Sequence, residues 1–369
     1  MIQAGPDAVT GVVAPGYEPV REAFAASAEG SACAFAVSVG GRLVCDLHAG
    51  GFGPDAATVL YSGTKGVAAT ALLLLFEDGA LDLDAPVAEV WPEFAAAGKA
   101  EITVATLLAH AAGLPAVERP LERHDLAEPR AVAAGLAAQA PMFPPGVPSY
   151  HAVTWGWLAA ELAFRACGST LGAVIRDRLA EPLALDLRLG LAAGDPLASR
   201  LVRPRLAPDY RLTAFMADEP DPRLERVYGN PPIPIDAWAD PDLRSIEAPA
   251  VNAVATARAM ATLYGALACG RILRPETLAR AGQTAADGND PLTGRRLRYG
   301  PSGYELTGTP SELGPAADAI GHTGAGGGAH GAWPGLRTGF SFLPVDLRSQ
   351  DADRRAADVV AALHRVVAV

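Results

Sequence analysis

Hydrophobic and polar positions divide the chain into two strand-rich ends around a helical middle. Residues 33–39 and 42–48 alternate small or apolar residues about Gly40-Gly41, the pattern of a two-residue β-hairpin on a half-buried sheet. Residues 63–78 are apolar nearly all round, which describes a central helix packed on both sides and closed by Gly79. Helical periodicity from Ile102 to about Leu185 predicts helices over 103–110, ended near Gly113 and Pro115, over 153–166 and over 171–179. Residues 204–249, with PPIPI and Asp-Pro pairs, predict a long irregular surface excursion, and a helix over 254–267 follows. Strand-like runs at 297–306, 319–332 and 337–343 precede an amphipathic helix with Val359, Val360, Leu363, Val366 and Val367 on one face.

Consecutive antiparallel strands at both ends are most simply joined into one sheet. The expected fold class is α/β of the α+β type, an antiparallel sheet flanked by terminal and central helices. Residues 1–98 and 246–369 would form that discontinuous sheet domain, and residues 99–245 an inserted, mostly helical lobe carrying the Pro-rich excursion. The length, 369 residues, is about two domain lengths. Half the residues are hydrophobic and 19% are charged, with 39 Gly and 31 Pro, which excludes a coiled coil or a disordered tail protein. The longest apolar stretch, 67–76, is far short of the roughly 20 residues that cross a bilayer. The N-terminus lacks both a basic segment and an uninterrupted apolar core of a secretory signal, so a cytoplasmic location is expected.

A net charge of −11 repels phosphate backbones and anionic headgroups, which argues against nucleic-acid and membrane partners. The same counts hide a sharper bias: two lysines, Lys65 and Lys99, stand against 28 arginines. A lysine kept in such a chain is a candidate for a task arginine cannot perform, such as losing its proton. The four cysteines, Cys33, Cys45, Cys167 and Cys269, have neither C-x-x-C spacing nor a nearby histidine pair, so no metal site is signalled. A two-residue turn at Gly40-Gly41 places Cys45 opposite Phe35 or Ala36, and a Cys33–Cys45 disulfide is not expected.

Ser62-Gly63-Thr64-Lys65 is an S-x-x-K element at the predicted start of the central helix, where positions i and i+3 share a face and the amine reaches the hydroxyl. With 12 serines and two lysines, chance supplies roughly 0.07 such elements. Helix-end amides favour the negative oxygen of acyl transfer, and the Ser62 N–H is itself a candidate oxyanion donor. Tyr150, in PPGVPSYHAVTWGW, is the best candidate second base, provided that a cation such as Lys65 lowers its phenol from about 10; the competing reading is an ordinary half-buried tyrosine. In the glycine-dense stretch 321–328, missing side chains let a ligand lie along the backbone, while His322 there also reads as a core histidine. The stretch lacks the phosphate-loop pattern, and the chain contains neither G-x-S-x-G nor H-E-x-x-H.

These elements, in this order, resemble the serine β-lactamase and penicillin-binding protein superfamily, most closely the class C-like branch of family VIII esterases. YSGTKG resembles its S-x-x-K, Tyr150-His151-Ala152 occupies its Y-x-N place and His322-Thr323-Gly324 its K-T-G place. LDLDAPVAEVWPEF, ITVATLLAHAAGLP and EAPAVNAVATARAMATLYGAL extend the resemblance over about residues 30–345. It implies a β-lactamase/transpeptidase-like fold and a serine hydrolase working through a covalent acyl-enzyme, acting as an esterase or amidase on a small ester or amide with weak β-lactam activity. Ser62 would be the nucleophile, with Lys65 and Tyr150 as a coupled base in which Lys65 holds Tyr150 as a phenolate. The N–H groups of Ser62 and Ala325 would form the oxyanion hole, and Ala152, His322, Thr323 and Gly324 would contact substrate. Ala152 and His322 replace the Asn and Lys that engage β-lactams, which moves the substrate away from penicillins. No metal or organic cofactor is implied. An acyltransferase passing the acyl group to an amine or alcohol remains an alternative, as does an inert ligand-binding protein on the same fold, which the intact Ser62, Lys65 and Tyr150 oppose.

Overall fold

The strand-rich ends of the chain meet in one antiparallel sheet of nine strands. In the computed structural model, which describes residues 9–208, 210–212, 221–306, 312–349 and 352–368, the strands are β1 (Thr10–Val13), β2 (Cys33–Val39), β3 (Arg42–Ala49), β4 (Ala286–Asn289), β5 (Arg296–Tyr299), β6 (Glu305–Leu306), β7 (Ile320–Gly324), β8 (Gly328–Trp333) and β9 (Thr338–Pro344). Their spatial order is β1-β3-β2-β9-β8-β7-β6-β5-β4. The single runs expected at 297–306 and 319–332 are each a hairpin, because Gly303 and the Gly326-Gly327 pair adopt positive φ and reverse the chain.

Next to Gly40-Gly41 the hairpin pairs as a two-residue turn requires, Val39 with Arg42 and Ser38 with Leu43. A bulge at Val37/Ser38 then inserts one residue, so Cys45 lies opposite Val37 rather than Phe35 or Ala36. Cys33 pairs with Ala49, and the four cysteines are free.

Each face of the sheet is covered by helices. On one face lie α1 (Glu18–Ser27) and the C-terminal helix, which packs Val359, Val360 and Leu363 with Phe24, Phe35 and Phe342. On the other lie α2 (Gly63–Glu77), buried from Gly63 through Leu75, and a helix over Ala257–Ala268. That helix begins three residues later than its apolar pattern. Val254–Ala255 instead bridges Thr58–Val59 and Leu187–Arg188 in a small second sheet, and the Thr256 hydroxyl caps the helix.

The helical middle packs on α2 in one continuous apolar cluster. Its helix over Thr154–Cys167 lies within a residue of expectation and ends at Gly168 in the left-handed region. The helix expected over 103–110 stops at Leu108, because His110 takes φ +61 and turns the chain. Residues 171–179 continue past a short α-helix, Leu171–Ile175, as a π-helical turn. The excursion at 204–249 carries only short elements where it is described, among them Leu224–Tyr228 and Pro241–Arg244; residues 209 and 213–220 lie outside the described residues. Among the described residues no single helix is long and apolar enough to cross a membrane.

Candidate active site

The first turn of α2 is where the sheet, the helical middle and the glycine-dense hairpin converge. Tyr61 holds φ +48, a conformation rare for a residue with a side chain, and this sharp turn presents Ser62 at the helix N-terminus. Gly63 and Gly66 permit the close packing beneath it. A Cβ on Gly63 would lie 2.5 Å from the His330 ring, and one on Gly66 would collide with the Tyr264 hydroxyl.

Lys65, one helical turn on, places Nζ 3.1 Å from Ser62 Oγ and donates to the carbonyls of Ala152 and Ala250 at 2.8 and 3.0 Å. Tyr150 arrives from the far side and donates from its hydroxyl to Ser62 Oγ at 2.9 Å. Its backbone N–H is tied to Asp290 Oδ2 at 2.9 Å, and its ring packs 4.8 Å from that of His110. His110 in turn accepts the His151 N–H on Nδ1, and His151 Nε2 accepts the Leu114 N–H. These buried histidines brace the turn that delivers Tyr150. The two residues identified on separate sequence segments thus meet on one serine oxygen.

Burial bears on the Lys65 cation and Tyr150 phenolate that the resemblance implies. Lys65 is fully buried, and the lost hydration pushes its amine well below the usual lysine range. Burial likewise raises the Tyr150 phenol above its ordinary 10, against a smaller lowering by the Ser62 hydrogen bond. A dry pocket disfavours both charged forms.

The hairpin β7–β8 closes the other side. A Cβ on Gly324 would stand 2.6 Å from the Leu60 carbonyl, so the end of β7 lies directly against the turn that carries Ser62. The Ser62 and Ala325 N–H groups donate to no carbonyl in the surrounding turns among the described residues, as an oxyanion pair requires. His322 is 1% exposed; its Nδ1 meets the Thr323 carbonyl at 2.7 Å, and burial pushes the imidazole down to about 3, so it is neutral. Ala152 lines the cavity with a methyl group and holds Lys65 through its carbonyl. Two acidic groups escaped the sequence reading, Asp290 under Tyr150 and Glu305 under Thr323. Neither belongs to a motif, and each is placed only by strand pairing and loop packing.

A cavity of about 1090 Å³ opens from Ser62, lined by Tyr61, Tyr210, Tyr228, Ile233, Trp238 and Tyr299 on its apolar side and by Glu305, Thr323 and Ala325 at the hairpin. Among the described residues no group of three or more His, Cys, Asp or Glu side chains is arranged to hold a metal ion. The sequence profile of the beta-lactamase family matches residues 20–364. The chain belongs to the beta-lactamase family. Esterase/beta-lactamase LipL of Mycobacterium tuberculosis is 34% identical to it over 93% of this chain and 85% of its own length. A family VIII carboxylesterase superposes with a TM-score of 0.89 at 31% identity, over 97% of this chain and all of that one. A penicillin-binding protein homologue from Caulobacter crescentus gives 0.87 at 32% identity, over the same shares. The LipL and carboxylesterase likenesses fall on the esterase-like branch of the family, and the chain is a serine hydrolase with esterase function.

Proposed function

We propose that Ser62 is the nucleophile, that neutral Lys65 is its base, and that Tyr150 is a proton donor. The observation that carries this reading is the approach of a fully buried amine, its pKa lowered by that burial, to within 3.1 Å of Ser62 Oγ. Nζ has the Ala152 and Ala250 carbonyls and Ser62 Oγ as its three oxygen neighbours; once the amine is neutral, two N–H groups serve the carbonyls and the lone pair serves the Ser62 hydroxyl 3.1 Å away. As Ser62 Oγ bonds to the ester carbonyl carbon, its proton passes to Lys65, and the Ser62 and Ala325 amides stabilise the oxyanion. Tyr150 then protonates the departing alkoxide and regains a proton from the Lys65 ammonium, restoring both groups. Water enters by the reverse path and releases the acid.

The substrate is a small ester or amide. The apolar walls of the cavity support an acyl or alcohol group of moderate size, while a methyl at Ala152 and a neutral ring at His322 offer little to a β-lactam. Incubation with activated esters should trap an acyl group on Ser62, located by peptide mass. Ser62→Ala should abolish both the adduct and hydrolysis with the fold intact. Residual activity within tenfold of wild type, or nitrocefin turnover as fast as that of a short aryl ester, overturns the assignment.

A further inference from the structure

Glu305 lies on β6, opposite Gly321 of β7, and turns its carboxylate to the cavity beside Ser62. Its Oε2 accepts both the N–H and the hydroxyl hydrogen of Thr323, at 3.0 and 2.9 Å. The Thr323 hydroxyl is therefore already spent as a donor. Oε1 has no hydrogen-bond partner among the described residues, and the side chain is 23% exposed, in a residue that lines the cavity. An acceptor with free lone pairs thus faces the substrate.

We infer that Glu305 makes this site selective for esters and amides bearing a positively charged group, and that it excludes substrates bearing a carboxylate. The inference deepens the hydrolase reading above and rests on it. The local charges support it. His322, 3.9 Å from Oε2 at Nδ1, supplies no cation, since its Nδ1 is engaged by the Thr323 carbonyl and its buried ring is neutral. Tyr150, Tyr264 and Tyr299, which also feel Glu305, are uncharged phenols raised by burial. Glu312 and Arg295 face it with opposite signs. Arg226 and Arg296, with Glu118, Glu225 and Asp290, also line the cavity, but among the described residues only Glu312 and Arg295 act as charges on Glu305, the acid that holds the hairpin at Thr323.

Burial first, and Glu312 second, push that carboxyl up to about 7. The preference should accordingly appear as pH rises through 7, when the carboxylate forms, and fade below it.

Three p-nitrophenyl esters of matched chain length test this: 4-(trimethylammonio)butanoyl, its uncharged isostere 5,5-dimethylhexanoyl, and the glutaric half-ester. Butyrate esters of choline, of 3,3-dimethylbutanol and of 3-hydroxypropanoate place the same charges on the alcohol. The quaternary ammonium does not titrate, so any pH dependence of the ratios belongs to the protein. Wild type should favour the cationic over the neutral member by at least tenfold in kcat/KM at pH 8, in at least one series, and by less at pH 6. Glu305→Gln should collapse that ratio to within threefold while labelling of Ser62 persists. Ratios near one in wild type for both series, or a preference that survives Glu305→Gln, overturn the inference and leave the hydrolase reading standing. Loss of Ser62 labelling in a folded variant also overturns it, assigning Glu305 to support of the hairpin. Should Glu305→Gln not fold, the wild-type ratios decide: values near one at pH 8 in both series overturn the inference.

Discussion

Seating the Lys65 amine against the Ala152 and Ala250 carbonyls removes the hydration that keeps an ordinary lysine charged, and this governs how each proposed catalytic residue responds to change. Arginine keeps its proton at any working pH, so Lys65→Arg should be as inactive as Lys65→Ala in single-turnover acylation. A Lys65→Arg enzyme retaining a tenth of the wild-type rate would assign the base elsewhere. Tyr150→Phe removes a proton donor, so it should cost about 10² to 10⁴ on alkyl esters, whose alkoxide needs protonation, and far less on p-nitrophenyl esters. Equal losses on both would return Tyr150 to the role of base. The pH profile follows from the same shifts. Acid protonates Lys65 and removes its lone pair, so acylation falls as pH drops through the folded pKa of the amine. Tyr150, raised by burial, keeps its proton beyond its ordinary 10, so no alkaline limb should appear below that pH in stopped-flow measurements.

At the scale of the element, α2 holds its catalytic turn close to its neighbours by using glycine where a side chain would not fit. A methyl at Gly66 meets the Tyr264 hydroxyl, which is buried and has no hydrogen-bond partner among the described residues. Gly66→Ala should therefore destabilise by about 1–3 kcal/mol, the range for an overpacked core, and lower kcat because Lys65 adjoins the displaced turn. Tyr264→Phe removes the colliding oxygen and an unsatisfied buried hydroxyl. The double variant should recover most of the stability in chemical denaturation and most of kcat. An additive loss would place the strain elsewhere.

Across the whole molecule, the far face of the sheet also supports the site. Arg355, at the start of the C-terminal helix, pairs with Asp353 with both side chains under 4% exposed, and donates to the Gly326 and Asp346 carbonyls and to the Ser31 hydroxyl. Gly326 follows Ala325, so this buried cluster braces the loop that presents the proposed oxyanion N–H. Arg355→Met leaves Asp353 unpaired and should cost about 3–5 kcal/mol in denaturant unfolding. At a temperature where the variant is folded, kcat should fall with little change in KM, since the oxyanion forms only during reaction. A rise in KM alone would detach the loop from the oxyanion role.

Much of this protein was legible from the order of its residues. Alternation about Gly40-Gly41 and the apolar run after Ser62 determine a hairpin and a buried helix through local geometry. S-x-x-K spacing within one helical turn determines that Lys65 meets Ser62, because three residues bring the two side chains onto one face. The motif resemblance placed Tyr150 and the β7–β8 hairpin, although 88 residues separate Tyr150 from Ser62. Other features have no local signal. The bulge at Val37/Ser38 arises from strand pairing, β4 has no apolar alternation in its sequence ADGN, and the helical spacing over 103–110 gives way at His110 to a buried turn. Glu305 and Asp290 carry no motif and come to the site through sheet pairing and a loop. The protonation of Lys65 and Tyr150 was likewise decided by the tertiary structure alone, because desolvation depends on what surrounds a group in space. Sequence determined which residues meet at Ser62, and only packing decided how far each is withdrawn from water.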